Sequence, residues 1–349
     1  MIRIETDRQK ALETIDRVVR RTMQMDLTWD WPCGVAMYGV SLACAATGEA
    51  VYLDMLRERV DTFIALGLPP CTVNRCAMGH SLLTLYEQTG DEKYLAIIRG
   101  QLAYLTQQAP RFDRGVLQHT VSVNNDFPEQ AWADTLFMAA FFMLRAGVML
   151  GDAALVEDAL LQYQGHIHFL QDKATGLWYH GYSHINRDHL SGFFWARANA
   201  WAAYTMSQVR YVLPEPYLYP PYMDVDCSLR DQLAGLKLLQ TESGLWRTVL
   251  DDEESYEELS ASCGIAAAMM ANGNPLHTPY ALRALAGIMD NISPDGRLLN
   301  VSAGTAVMRD LEGYRRISRE WSQGWGQGLA LAWLCELLRG DEGEQANAR

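Results

Sequence analysis

Helical periodicity runs through almost the whole chain as a repeat of helix pairs, and that repeat leaves few folds open. Apolar residues recur at three- and four-residue spacing, with no run of alternating strand residues between them. The spacing predicts twelve helices, over 7–23, 34–47, 50–66, 77–89, 91–108, 129–150, 152–171, 192–210, 226–240, 258–272, 278–291 and 323–339. Four joints share one form: ATGEAVYLDML, QTGDEKYLAII, MLGDAALVEDA and ANGNPLHTPYALRAL. Each is a glycine stop, a polar cap and a new helix within a few residues.

The two helices of a pair differ in character. The segment 131–146 is Ala, Trp, Leu, Phe and Met on every side, whereas 152–171 carries Glu157, Asp158, Gln162 and Gln164 across its apolar stripe. A helix apolar all round belongs inside, and an amphipathic one covers it. Six buried helices, each joined to an amphipathic partner, predict an all-α (α/α)6 barrel. In it 323–339 pairs with 7–23 and closes the ring. An open solenoid of the same repeat is the alternative; the count stops at six, and neither end reads as a polar capping repeat. The expected organisation is one domain over 1–340, with 341–349 (GDEGEQANAR from Gly340) a disordered tail. The long connections 110–128, 172–191, 241–257 and 292–322 each lead into an inner helix. The inner-helix N-termini should therefore line the mouth where a ligand sits.

Charge excludes some partners. Lys and Arg number 29 against 42 Asp and Glu, a net charge of −13. Such a surface repels phosphate backbones, which argues against nucleic acid, and an anionic ligand needs a local cationic pocket. No apolar run is long enough to span a membrane, and the N-terminus carries no leader pattern, which predicts a cytoplasmic address. The seven scattered cysteines fit reduced thiols, and no CxxC pair supports a zinc ribbon. His166 and His168 have the spacing of a metal bite but sit on an outer helix with no acidic partner. No metal or other cofactor is expected. Serine-hydrolase elbows, nucleotide loops and zinc-protease motifs are absent.

The candidate chemistry lies at the inner-helix starts. In PEQAWADTLFMAAFFML, residues 128–144, Asp134 is the one carboxylate inside an apolar helix, about two turns in. Burial is expected to raise its pKa, which would suit a general acid; a purely structural aspartate is the other reading. In FFWARANAWAAY, residues 193–204, Arg197 and Trp201 stand four apart, as do Trp195 and Asn199. Indole faces cover sugar C–H surface and a guanidinium grips a carboxylate bidentately, so this set suits a sugar acid; a cation–π pair inside the core is the alternative. GLWYHGYSH and SGLWRTVLDDEESYEELSAS enter inner helices as matching loops, offering Tyr179, His180 and Tyr256 as partners for hydroxyls. His119 offers the same from GVLQHTVSVNNDFPEQ.

EQAWADTLFMA, GLWYHGY…FWARANAW, SGLWR…YEELSAS and NVSAGT together resemble the unsaturated rhamnogalacturonyl hydrolases of glycoside hydrolase family 105, relatives of the unsaturated glucuronyl hydrolases of family 88. The resemblance runs in order from about Trp29 to Trp333 and implies the (α/α)6 barrel. It also implies a reaction: removal of a 4,5-unsaturated uronic acid from the non-reducing end of a lyase-generated oligosaccharide by hydration of the C4=C5 bond. Matching the motifs makes Asp134 the acid/base. It puts His180, Trp195, Arg197 and Trp201, with Trp132 and His119, on substrate-binding positions. Members usually carry a second aspartate before the glycine that opens the fourth helix; in CTVNRCAMGHSLL the matching residue is Asn74, an amide that can bond substrate, beside the cationic Arg75. Asp126, Glu129 and Glu258 are candidate replacements. The alternatives are an inverting glycosidase, which needs a second carboxylate facing Asp134, a sugar epimerase, or an inactive sugar-binding homologue. The expected partner is a small unsaturated oligosaccharide.

Overall fold

The computed structural model describes residues 4–124 and 127–347. Thirteen α-helices are found among them: α1 (Ile4–Met23), α2 (Trp31–Thr47), α3 (Ala50–Leu66), α4 (Gly79–Thr89), α5 (Glu92–Ala103), α6 (Phe141–Leu150), α7 (Ala153–Leu170), α8 (Ala196–Val212), α9 (Pro220–Leu238), α10 (Leu259–Asn272), α11 (Thr278–Asp290), α12 (Leu311–Arg315) and α13 (Gly324–Asn347). The expected joints are real. Gly48, Gly90, Gly151 and Gly273 end α2, α4, α6 and α10 in the left-handed conformation, and Asp91 and Asp152 cap the helices that follow by accepting backbone N–H bonds.

Helices α2, α4, α6, α8, α10 and α13 pack side by side in that order, and α13 returns to α2. This closed inner ring is the (α/α)6 barrel, not the open solenoid. Helices α1, α3, α5, α7, α9 and α11 lie outside, against α13, α2, α4, α6, α8 and α10 respectively. The inner members are buried along nearly their whole length: in α8 every residue from Ala196 to Val209 is buried. The outer members bury one stripe, as Tyr52, Leu56 and Val60 do on α3. At the seam α2 and α13 touch backbone to backbone. A Cβ on Gly39 would lie 2.7 Å from the Gly328 Cα, so neither helix tolerates a side chain there.

Two departures from the sequence reading bear on the site. The helix expected from 129 starts at Asp134, because Gln130–Trp132 form a short strand, β1, antiparallel to Gly181–Ser183, β2. Asp134 is thus the first helical residue and not two turns in, and the next turn, Leu136–Ala140, is a π-helix. The small α12 occupies the connection expected over 292–322. Helix α13 is described to Asn347; residues 348–349 lie outside the described residues, as does Asp126.

Candidate active site

Four loops that feed the mouth repeat one small hairpin. Gly115, Gly176, Gly244 and Gly296 each take a positive φ, between 72° and 86°. Two residues later a backbone N–H is held by a side chain from a helix. Leu117 donates to Gln162 Oε1 (2.9 Å), Trp178 to Asn199 Oδ1 (2.8 Å), Trp246 to Ser262 Oγ (3.0 Å) and Leu298 to Gln327 Oε1 (2.7 Å). Two residues further on, in the register of an extended strand, stand His119, His180, Thr248 and Asn300. The first two are buried histidines of the site, 1% and 0% exposed.

The inner-helix starts and these loops surround a cavity of about 220 Å3. Asp30 and Trp31 line it from the start of α2, and Asn74 from the turn before α4. His119, Val121, Phe127, Trp132 and Asp134 come from the approach to α6, Trp195 and Arg197 from α8, and Gly304, Thr305 and Ala306 from the loop before α13. The expected residues Asp134, Trp132, His119, Trp195, Arg197 and Asn74 are therefore brought to one place. His180 stands directly behind Asp134. Trp201 does not reach this wall: it is fully buried against Phe137, ring centroids 5.2 Å apart, because its position on α8 faces the barrel interior.

Asp134 keeps 14% of its side chain exposed, and its Oδ2 lies 3.5 Å from His180 Nε2, long for a hydrogen bond. Among the described residues neither atom has a hydrogen-bond partner. His180 Nδ1 pairs with the Tyr314 hydroxyl at 2.9 Å, and that hydroxyl accepts the Met308 N–H at 3.2 Å. With the hydroxyl donating to Nδ1, the imidazole carries its proton on Nε2, facing Asp134. Burial is the largest influence on Asp134 and pushes its carboxyl up, but the facing His180, with His119 and Arg197, outweighs it and leaves the carboxyl below its ordinary value. This reverses the expectation of a raised pKa. Burial holds His180 below the usual imidazole range and His119 down to about 4, so both rings are neutral near pH 7.

The aromatic walls are stacked on one another. His119 lies on Trp132 at 4.6 Å, its Nδ1 paired with Thr135 Oγ1 at 2.9 Å. His180 leans on Trp195 at 4.0 Å, and Trp31 stacks on Trp325 at 4.4 Å. The Trp195 Nε1–H, buried in the wall, has no partner among the described residues.

Arg197 departs from the expected bidentate clamp. Its Nη1 donates to the Ser302 carbonyl (3.0 Å) and hydroxyl (2.6 Å), and its Nη2 to the Ala303 carbonyl (2.8 Å) and Thr305 Oγ1 (3.1 Å). Glu258 Oε1 is 3.5 Å away, and the guanidinium lies over Trp195 at 4.5 Å. Arg197 thus fastens the 302–305 loop to the barrel and supplies positive potential to the wall. Glu258 is no spare acid. It is 0% exposed, caps α10 through the Ala261 N–H at 2.6 Å and accepts the Ser302 N–H at 2.8 Å. Glu129 is absent from the cavity wall; its backbone, at φ 50°, bonds Gln118 through N–H and His184 through C=O.

Sequence reasoning did not single out Asp30, Trp31, Phe127, Thr305 or Tyr314. For Asp30 the signal present, an aspartate two residues before a proline, reads as a plain helix cap. Among the described residues no group of three His, Cys, Asp or Glu side chains could hold a metal ion. His166 is fully buried with Nδ1 on the Gln162 carbonyl at 2.8 Å.

Comparison with known proteins bears on what this arrangement does. Residues 3–340 match the model of Glycosyl Hydrolase Family 88. The chain is 48% identical over 340 residues to the unsaturated rhamnogalacturonyl hydrolase YesR of Bacillus subtilis, covering 97% of this chain and 98% of that one. A crystal structure described as a possible member of the GH105 family, from Salmonella enterica serovar Paratyphi A, superposes with a TM-score of 0.90 at 30% identity, covering 95% of this chain and 94% of that one. The unsaturated glucuronyl hydrolase of Bacillus sp. GL1 shares the fold, with a TM-score of 0.71 at 17% identity over 95% of each chain.

Proposed function

The chain belongs to glycosyl hydrolase family 88 and is a glycoside hydrolase acting on unsaturated uronyl sugars, and we propose that Asp134 is its acid/base, with lyase-generated unsaturated galacturonyl-rhamnose oligosaccharides as its substrates. The observation that carries the assignment is an Asp134 carboxylate that opens an inner helix, faces His180 at 3.5 Å and lines the same small cavity as Arg197 and Trp195. At about 220 Å3 the cavity is below the size of pockets for drug-sized ligands and suits a single sugar ring.

The substrate is a vinyl ether, electron-rich at C4. Protonation at C4 places cationic character at C5, beside the ring oxygen. Water adds at C5, and the resulting hemiketal opens and releases the rest of the chain. Asp134 gives the first proton and recovers one from the water, so a second carboxylate of the kind used at an anomeric carbon is not needed. The free enzyme holds Asp134 ionised near neutral pH. A uronate entering beside it adds a like charge in a confined, poorly hydrated space and drives its pKa up, so the acid is armed as the substrate binds. The Arg197 potential draws the sugar carboxylate, and the Trp132 and Trp31 faces cover the ring.

The catalytic unit spans 1–340 on this reading. A cytoplasmic setting is supported by seven cysteines that are all free, four of them buried. Among the described residues no helix is long and apolar enough to cross a membrane. Replacement of Asp134 by Asn is expected to lower turnover about a thousandfold or more while the melting transition stays near the wild-type value. Loss of ultraviolet absorbance from the conjugated double bond reports the reaction. A variant that still consumed the double bond at an appreciable rate would sink the assignment.

A further inference from the structure

The cavity holds a second carboxylate that no family motif singled out. We propose that Asp30 binds substrate, accepting a hydrogen bond from a ring hydroxyl of the terminal unsaturated sugar and selecting sugars whose hydroxyl there is unsubstituted; the proposal rests on the reading of this cavity as the sugar site.

Asp30 lines the cavity with Asn74 and Asp134. Its two oxygens are used differently. Oδ1 accepts the Trp31 N–H at 2.7 Å and starts α2. Among the described residues Oδ2 has only a distant cation, Arg75 Nε at 3.7 Å, beyond hydrogen-bond range. The side chain is 28% exposed, on a residue that borders the cavity. Burial holds its carboxyl above its ordinary value, with the Trp31 N–H and Arg75 opposing. Beside it Asn74, 6% exposed, has a buried Oδ1 with no hydrogen-bond partner among the described residues. Asp30 and Asn74 stand on the same wall of the small cavity, and a ligand hydroxyl reaching that wall would give Asp30 Oδ2 a charge-assisted hydrogen bond.

The order of the ring gives the site a polarity. Helix α2 stands three places from α8 whichever way the six inner helices are counted, so Asp30 and Arg197 enter from opposite sides. A uronate carboxylate is repelled from the Asp30 side and drawn to the Arg197 and Trp195 side. The ring hydroxyls then face Asp30 and Asn74. An ester or sulfate on the facing hydroxyl removes the donor, and a sulfate adds a repelled charge.

Asn and Ser cap helices about as well as Asp, so Asp30→Asn and Asp30→Ser remove the carboxylate and keep the cap. Steady-state kinetics on the unsaturated disaccharide should show KM raised roughly ten- to a hundredfold in Asp30→Asn, the scale of one charge-assisted hydrogen bond, with kcat changed less than about threefold. The same disaccharide acetylated on its unsaturated ring should be a poor substrate for the wild type and lose much less in the variant. Calorimetric binding of intact disaccharide to Asp134→Asn, with and without Asp30→Asn, reads Asp30 apart from the chemistry. An unchanged KM, or an acetylation penalty equal in both proteins, would overturn the proposal while leaving the Asp134 assignment standing. Melting that collapses in both Asn and Ser variants would assign Asp30 to the cap alone and also overturn it. Turnover surviving in Asp134→Asn would instead strike the reading of the site itself.

Discussion

On the proposed acid/base role, the charge state of Asp134 sets how activity depends on pH. Its carboxyl lies below the ordinary value in the free protein, because His180, His119 and Arg197 outweigh burial. Protonation is needed for the first step, so the free enzyme loses its competent form as pH rises above that lowered value. The expected kcat/KM falls about tenfold per pH unit across the neutral range, whereas kcat holds to higher pH because bound uronate raises the same pKa. Binding near pH 7 should therefore take up protons. Calorimetry in buffers of different ionisation enthalpy measures how many, and an uptake of zero would contradict the arming of the acid by substrate. That an aspartate stands within an apolar inner helix was legible in the sequence; that it opens the helix was not. The direction of its shift was not, because it depends on side chains 46 and 63 positions downstream (His180 and Arg197), whose distances only the fold sets. Asp30 was hidden for a related reason: a residue that caps a helix gives a sequence reader a sufficient explanation before its second oxygen is considered.

Helix positions were more legible than the loops that carry the chemistry. The Gly-stop and cap signals located most helix starts, and the matched Gly-Leu-Trp loops were visible as a pair. That Gly115 and Gly296 belong to the same series was not, since Val-Leu and Arg-Leu follow them instead of Leu-Trp. The shared feature is the backbone N–H held from a helix. Asn199 illustrates its cost. It accepts the Trp178 N–H and donates to the Trp178 carbonyl, both at 2.8 Å, while Gln232 donates to it at 3.1 Å. Asn199→Leu would leave the two Trp178 backbone groups buried without partners. The expected loss is about 2–4 kcal/mol, read as a lowered midpoint in chemical unfolding. It should also lower kcat/KM, because His180 sits two residues along the freed strand. A variant as stable as the wild type would mean that the hairpin does not depend on this clamp.

At the scale of the whole molecule, the alternation of apolar and amphipathic helices predicted six pairs, but periodicity alone could not tell a ring from a solenoid. What separates them is contact between the first and last inner helices, and residues as small as Gly39 and Gly328 give that contact no apolar signature. The distinction has a thermodynamic consequence. In an open array, removing the last helix costs one interface and the remaining repeats persist. In the closed ring α13 fills a gap between α10 and α2 and also carries α1. Its large buried side chains, Trp325, Leu329, Leu331, Trp333, Leu334 and Leu338, contribute roughly 12 kcal/mol at about 2 kcal/mol each. That is comparable to the entire stability of a typical domain, about 5–15 kcal/mol. Deletion of 324–349 should therefore abolish the cooperative melt and expose apolar surface that binds a hydrophobic dye, even though every described residue lining the proposed sugar cavity remains in the chain. A truncated protein that still melted cooperatively, with its midpoint lowered by only a few degrees, would show the five remaining inner helices to be self-sufficient and the ring closure energetically idle.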